Sequence, residues 1–387
     1  MSKLEDLIQE FCPDGVEYRS ILEIFNTRNG YTPSKSNKEY WENGEIPWFR
    51  MEDIRESGRI LSKATQYVSR SAVKGKAFPE NSIIISTSAT IGEHALITVP
   101  SLANQRFTYL MLKNEYKDLM DIKFVYYYCF KLDEYCKACL NQGNFASVDM
   151  KQFAKFEVPV PPLPVQEKIV RILDNFTELT AELTAELTAR KKQYEYYRKE
   201  LLTFADDVKK VPLIDVVKIK RGVRVVKSQL AVEGEYPVFQ NSMTPLGYMD
   251  KANCTGDTAF IITAGAAGEI GYTDNDFWAA DDCFSFECPQ YLKSKYLYYI
   301  LLCQQNTIYS KVRKASIPRL PRSAIEKLII PVPSVDIQEK IVDVLDRFDT
   351  LCNDISKGLP AEIVARQKQY EYYRDKLLTF KEFSDEN

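Results

Sequence analysis

The chain carries two copies of its own plan. The segment KFEVPVPPLPVQEKIVRILDNF (155–176) realigns with KLIIPVPSVDIQEKIVDVLDRF (327–348), an offset of 172 residues. The same offset lays KFVYYY (123–128) on KYLYYI (295–300). Further along, ARKKQYEYYRKELLTF (189–204) matches ARQKQYEYYRDKLLTF (365–380), now 176 residues apart. Upstream, VEYRSILEIFNTRNG (16–30) loosely matches VKKVPLIDVVKIKRG (208–222). A repeat of this kind means that each copy forms the same supersecondary unit, so any fold proposed for one half must serve the other.

Each half reads as a variable globular part followed by a long helix. The globular parts cover roughly 14–158 and 206–330. They hold strand-like runs such as NSIIIST (81–87), HALITV (94–99), FTYLML (107–112) and TAFIITA (258–264), punctuated by Gly, Pro and Asn. A proline-rich strip, VPVPPLP (158–164) or IPVPSVD (330–336), closes each part and opens the next element. Helical spacing follows. In the first copy Ile169, Leu173, Phe176, Leu179, Leu183, Leu187, Tyr194, Tyr197 and Leu201 form one apolar stripe. The helix that carries it takes about 38 residues, which at ~1.5 Å each is roughly 57 Å. The second copy repeats it with Ile341, Leu345, Phe348, Leu351, Ile355, Leu359, Ile363, Tyr370, Tyr373 and Leu377, broken at Gly358-Leu359-Pro360. A lone helix with such a seam would leave it in water, so the two are expected to pair, most simply antiparallel. The expected fold is α+β: two mixed helix-and-strand domains separated by two long helices in an antiparallel coiled coil, related by a pseudo-two-fold axis at opposite ends of a rod.

Composition sharpens this reading by exclusion. With 20 Phe, 24 Tyr and 3 Trp the chain has too much aromatic surface to stay disordered. No apolar run reaches the ~20 residues of a membrane span, and MSKLEDLIQEF reads as an acidic amphipathic start. Nine cysteines without regular spacing fit a reducing compartment, hence a cytoplasmic protein. A formal charge of −3 removes bulk basicity as an argument for nucleic acid, although a local groove can still be basic. His94 is the only histidine, which argues against a histidine-based triad or a multi-histidine metal site.

Two variable domains alternating with near-identical helices resemble the specificity subunit of a type I restriction–modification system. The residues that carry the resemblance are QEKIVRILDNF, the tandem Thr180-Ala181-Glu182-Leu183 and Thr184-Ala185-Glu186-Leu187, GLPAEI (358–363) and both KQYEYYR motifs, all similar to the conserved regions of the IC-like subclass. GYTPSKSNKEYWENGEIPWFRMEDI (30–54) resembles a loop-and-strand signature of target recognition domains, as do YPVFQNSMTPLGY (236–248) and FWAADDCFSF (277–286). Where many relatives have GGTPS this chain has GYTPS. The resemblance implies target recognition domains at 1–158 (with an N-terminal helix) and 206–330, and conserved helical regions at 159–205 and 331–387. It implies that each domain reads half of a split target in double-stranded DNA, while the helices act as a ruler and dock two methyltransferase subunits. Two restriction and translocase subunits would join them. S-adenosylmethionine, ATP and Mg2+ would belong to those partners, so that this chain is not an enzyme and holds no cofactor.

The residues agree that chemistry is missing. There is no GxxxxGK[ST] phosphate loop and no Asn-Pro-Pro-aromatic tetrapeptide. Gly265-Ala-Ala-Gly268-Glu-Ile-Gly271 follows an apolar run, but turn and strand residues come next, so a tight turn is expected rather than a dinucleotide site. Cys136-Lys-Ala-Cys139 stands without a second ligand pair and reads as two half-buried helical cysteines. Asp281-Asp282 lacks an acid–base partner and reads as a turn near the recognition surface.

DNA contact needs cations for phosphates and amides or guanidiniums for base edges. In the second half Lys218, Lys220, Arg221, Arg224 and Lys227 crowd the start of the domain, and Lys311, Arg313, Lys314, Arg319 and Arg322 crowd its end. In the first half the cations are Arg28, Lys35, Lys38, Arg50, Arg70 and Lys74. Candidate base readers are Asn29, Ser34, Asn104, Gln105, Arg106, Asn141, Gln142 and Asn144, then Gln240, Asn241, Ser242 and Arg319. The tyrosines of KQYEYYR suit the helix seam or subunit docking better than stacking on bases. From another class, the competing reading is a coiled-coil scaffold pairing two ligand-binding domains with no nucleic acid. Helices that repeat almost verbatim beside domains that diverge favour the first reading, because a common partner can then read the helices twice.

Overall fold

Proline and β-branched residues divide the first half into short strands. The computed structural model describes residues 8–141, 146–205, 207–354 and 356–383. Strand β1 (Tyr18–Ser20) pairs antiparallel with β10 (Glu157–Pro159), so that both ends of the domain lie side by side. Between them β2 (Phe25–Asn29), β4 (Ile60–Leu61), β6 (Ser82–Ser86), β7 (His94–Ile97) and β9 (Phe107–Leu112) form a sheet of order β2-β9-β6-β7-β4. A smaller sheet, β5-β3-β8, consists of β3 (Ile46–Phe49), β5 (Tyr67–Val68) and β8 (Leu102–Ala103).

Every residue of β6 is buried, because both faces of the large sheet are covered. The alternation of strand side chains decides which residue goes where. Ile83, Ile85, Leu96 and Leu110 pack toward α1 (Ile122–Ala138), against Phe124, Val125 and Leu132. Ile84, Ala95, Ile97 and Tyr109 pack the other way, against Trp48, Phe49 and Phe78 beside the small sheet. Phe78 and Tyr109 stack with ring centroids 3.6 Å apart.

The second half repeats this order, except that nothing among its named strands matches β4 at the edge of the large sheet. β11 (Lys210–Pro212) pairs antiparallel with β19 (Ile329–Pro331). β12 (Lys218–Arg221), β15 (Thr258–Ile262), β16 (Ile270–Thr273) and β18 (Cys283–Glu287) make the sheet β12-β18-β15-β16. β13 (Tyr236–Phe239), β14 (Tyr248–Met249) and β17 (Trp278–Ala279) make the sheet β14-β13-β17. Again the faces split: Ala259 and Ile261 go with the helix α2 (Ser294–Cys303), through Tyr296 and Leu297, and Phe260 and Ile262 go with Phe277 and Ala279.

For the long helices we use αL1 (Leu163–Leu201), αL2 (Val335–Asn353) and αL3 (Leu359–Leu377). A fully buried glutamine joins each domain to its helix. Gln166 accepts from the Asp121 amide (2.8 Å) and donates to the carbonyls of Leu119 (2.8 Å) and Pro161 (2.6 Å). Gln338 accepts from the Lys293 amide (2.9 Å) and donates to the carbonyls of Tyr291 and Pro333 (2.9 Å each). A little over two turns further on, Asp174 holds Lys123 and Tyr127, and Asp346 holds Lys295 and Tyr299. Burial first, then the adjoining carboxylate, pushes the hydroxyls of Tyr127 and Tyr299 well above the usual tyrosine range.

The described chain divides into two compact units, one ending at Ala181 and resuming at Ala365, the other spanning Glu182–Val364. Within the first, Phe176 of αL1 meets Tyr370 (6.5 Å) and Tyr373 (5.6 Å) of αL3. Within the second, Phe348 of αL2 meets Tyr194 (6.1 Å) and Tyr197 (5.6 Å) of αL1. The same three aromatic positions thus make the same seam twice, and in both copies the KQYEYYR tyrosines pack against the helix partner. The stripe is shallower than its spacing suggests: Leu179 is 45% exposed, and Leu183 and Leu187 are only half-buried. Ile355 lies outside the described residues. The helical break falls between Asn353 and Leu359, where Asp354 caps the amides of Ser356 and Lys357 and Gly358 sits against the Thr350 carbonyl. Among the described residues no helix is long and apolar enough to cross a membrane.

Candidate nucleic-acid interface

In the second domain one arginine of the first basic cluster meets two of the second. Arg221, at the end of β12, and Arg313 and Arg319, from the last loop, line one cleft of about 370 Å³ with Asp281 and Asp282. Main-chain bonds fix its walls. Thr263 donates its amide (2.7 Å) and hydroxyl (3.0 Å) to the Asp282 carbonyl, and its own carbonyl accepts from the Leu320 amide (2.8 Å). Arg313 and Arg319 exchange backbone bonds of 2.8 and 3.2 Å, and the Arg221 Nε donates to the Asp281 carbonyl (3.1 Å). Lys218 and Lys220 lie apart from this cleft, both paired with Glu287. Arg322 pairs with Glu326 (2.8 Å). Arg224, Lys311 and Lys314 are exposed and do not line the cleft.

The first domain has the same place, built by the same main-chain bonds. Thr87 donates to the Arg106 carbonyl (3.0 Å) and accepts from Val148 (2.9 Å), and Asn141 donates to Ser147 (2.9 Å). The Gly30 amide bonds Phe107, as the Gly222 amide bonds Cys283, both at 2.9 Å. Asn29, Gln105, Arg106 and Asn141 therefore stand where Arg221, Asp281, Asp282 and Arg313 stand in the second domain. Of the sequence-predicted readers of the first half, Asn29, Gln105, Arg106 and Asn141 are brought together, Ser34 lies elsewhere, and Gln142 and Asn144 are outside the described residues. Asn29 Oδ1 accepts from Thr108 (2.9 Å), and Gln105 Oε1 from Thr32 (2.5 Å). Asn104 differs from its neighbours, because its side-chain oxygen accepts the Arg106 amide (3.0 Å) and closes the turn.

A second group of predicted residues gathers elsewhere in the first domain. Lys35, Lys38 and Arg50 line a cleft of about 400 Å³ with Trp41 and Trp48. The two indoles meet edge to face at 5.0 Å, the Arg50 guanidinium lies 5.8 Å from the Trp48 ring, and the Arg50 Nε is buried without a hydrogen-bond partner among the described residues. Ser34 lies beside this group, its carbonyl accepting the Trp41 indole N–H (3.1 Å). Arg28 is separate, stacked 4.8 Å from the Phe78 ring. Gln240 matches Arg50, since the Asn104 and Ala280 amides bond the carbonyls just before them, on Phe49 and Phe239. Next to it the Asn241 carbonyl accepts the Ala266 amide (2.9 Å), and Ser242 donates to Thr244 (2.8 Å). Gly265, at φ +79°, faces Asn241 so closely that a Cβ would meet its carbonyl oxygen at 2.7 Å.

Sequence reasoning passed over Thr87 and Thr263, which anchor the same backbone frame in the two domains. A signal was present: Thr87, Gly92 and Glu93 recur as Thr263, Gly268 and Glu269, 176 residues on. The cysteine pair has no matching chemistry. Burial, and then Asp133, pushes the Cys136 thiol up to about 12, and Cys139 caps the end of α1. Among the described residues no three His, Cys, Asp or Glu side chains are grouped to hold a metal.

Two α+β domains that share most of their strand order, each locked to a long helix and each presenting different polar side chains on the same backbone hydrogen bonds, define a two-domain recognition chain. The family described as the type I restriction modification DNA specificity domain matches residues 13–190 and again 205–365, and the chain belongs to this family. It is 44% identical over 379 residues to the EcoprrI specificity subunit of Escherichia coli, covering 92% of this chain and 93% of that one. It is 31% identical over 295 residues to the EcoR124I/EcoR124II specificity subunit of the same species, covering 67% and 71%. The S subunit of a Mycoplasma genitalium type I system shares the fold, with a TM-score of 0.61 at 17% identity over 94% of this chain and 96% of that one.

Proposed function

We propose that this chain is the DNA-recognition subunit of a type I restriction–modification complex, each domain reading one half of a bipartite target in double-stranded DNA. The long helices set the spacing of the half-sites and dock two methyltransferase subunits, and two restriction and translocase subunits complete the assembly in the cytoplasm. The chain contributes specificity without catalysis. S-adenosylmethionine, ATP and Mg2+ serve the partner subunits.

One observation carries this reading: the same backbone hydrogen bonds carry Asn29, Gln105, Arg106 and Asn141 in one domain and Arg221, Asp281, Asp282 and Arg313, around a cleft, in the other. A shared frame with divergent polar linings suits two readers of different base sequences on one type of ligand. Co-expression with the cognate methyltransferase subunit, followed by methylome sequencing, tests it. A split methylated motif is expected, and exchanging residues 206–330 for another recognition domain should rewrite one half of it alone. Methylation without a split motif, or an exchange that alters both halves, would overturn the reading.

A further inference from the structure

We propose that Asp281 reads a base, accepting a hydrogen bond from the exocyclic amino group of a cytosine or an adenine in the half-site bound by the second domain. The inference rests on the DNA-reading function proposed above and deepens it by naming the side chain that selects and the bases it admits.

The Asp281 Oδ1 is buried and has no hydrogen-bond partner among the described residues, although the side chain lines a cleft with Arg221, Arg313 and Arg319. An unpaired acceptor is destabilising, and because the Asp281 side chain as a whole is only part-buried on the cleft wall, a donor entering the cleft can reach its carboxylate and supply the missing bond. The surrounding backbone is held firmly. The Asp281 carbonyl accepts from Arg221 (3.1 Å) and the next carbonyl, of Asp282, accepts twice from Thr263. The carboxylate itself is not what holds Arg221, because that bond uses the main-chain oxygen. In the first domain the matching position is Gln105, whose side-chain oxygen already has Thr32 as its donor.

A carboxylate accepts and does not donate. In the major groove the only base donors are the amino groups of cytosine N4 and adenine N6, whereas guanine offers two acceptors and thymine an acceptor and a methyl group. Asp281 therefore admits cytosine or adenine on the strand it touches and excludes guanine and thymine. Negative charge so close to DNA would be repelled by the phosphates, and the three arginines of the same cleft offset that repulsion.

The test uses the full chain assembled with its methyltransferase partner and duplexes carrying the target found by methylome sequencing. Each cytosine or adenine of the relevant half-site is replaced singly by an analogue lacking the exocyclic amine, 2-pyrimidinone or purine, and affinity is measured by competition. The wild-type complex should lose about 5- to 150-fold at one position. Asp281→Ala should lose no more on that analogue than on the natural base, and its methylome should show that position relaxed and the other half-site unchanged. Asp281→Asn, of the same shape, should keep binding while losing discrimination, which separates readout from misfolding. Equal sensitivity to every analogue in wild type and both variants, or an unchanged motif in both, overturns the proposal while leaving the DNA-reading function standing. A wild-type complex with no sequence-specific binding overturns both.

Discussion

His94 lies fully buried in the first domain, its Nδ1 2.7 Å from Asp133 Oδ2, with Arg59 3.2 Å from the same oxygen. Phe130 covers the ring edge to face at 4.7 Å and takes the Arg59 guanidinium 5.0 Å from its own centroid. Burial holds the imidazole below its ordinary value of 6.5, against the opposing pull of Asp133. The unfolded chain therefore takes up a proton that the native domain resists. This contribution to stability is fully present above about pH 6.5 and is lost as pH falls below it. Melting curves of wild type and His94→Gln should differ in slope: wild type loses stability more steeply between pH 6.5 and 5. Parallel pH profiles would refute this. Gly222 gives a second expectation. A methyl there collides with the carbonyls of Ala279 and Ala280, so Gly222→Ala should destabilise its domain by roughly 1–3 kcal/mol in denaturant unfolding. Neither effect was legible beforehand, since a histidine or glycine shows its surroundings only after strands distant in sequence have closed around it.

At the scale of elements, the Thr-Ala-Glu-Leu repeat is uninterrupted helix within αL1. The threonine hydroxyls of this helix turn back to carbonyls four residues earlier, Thr180 to Phe176 and Thr188 to Thr184, and the threonine of an added unit can do the same. The division between the two compact units falls inside this repeat, after Ala181. One added unit lengthens the helix by ~6 Å and turns it ~40° beyond a full revolution. One base pair advances by ~3.4 Å and ~34°. Inserting one unit after Leu187 should therefore widen the spacer by about one base pair and leave both half-site sequences intact, with methylome sequencing as the readout. An unchanged spacer would show that the repeat is merely a good helix. The buried glutamine joints carry another expectation. Gln338→Ala strands one amide and two carbonyls at the foot of αL2 and should cost about 2–4 kcal/mol, seen as a lower melting transition. The helices themselves were readable from spacing, but the joints were not: a glutamine inside QEKIV gives no sign of burial until Leu119 and Tyr291 are folded over it.

For the whole molecule, duplication predicts stoichiometry. Phe176 with Tyr370 and Tyr373, and Phe348 with Tyr194 and Tyr197, make two equivalent seams. The tyrosine between each pair, Tyr196 or Tyr372, is about 60% exposed and available to a partner. Two copies of the methyltransferase subunit should bind, and native mass measurement of the co-expressed complex checks it. A stable one-to-one complex at saturating partner would count against two docking surfaces. The chain alone should not methylate DNA when given S-adenosylmethionine, and robust adenine methylation by the isolated chain would refute its non-catalytic role.

The amino-acid sequence by itself determined the duplicated plan, the helix-and-strand class, the length of αL1 and the break before αL3. All of these follow from periodicity and from proline and glycine placement, which act along the chain and need no distant partner. Which polar residues come together was decided only by the tertiary structure. Arg221, Asp281 and Arg313 come from three separate segments, as do Asn29, Gln105 and Asn141, and they correspond between domains by backbone hydrogen bonds rather than by side-chain likeness. Side chains at these positions differ between the domains, while the carbonyls and amides beneath them, common to every residue, keep the frame.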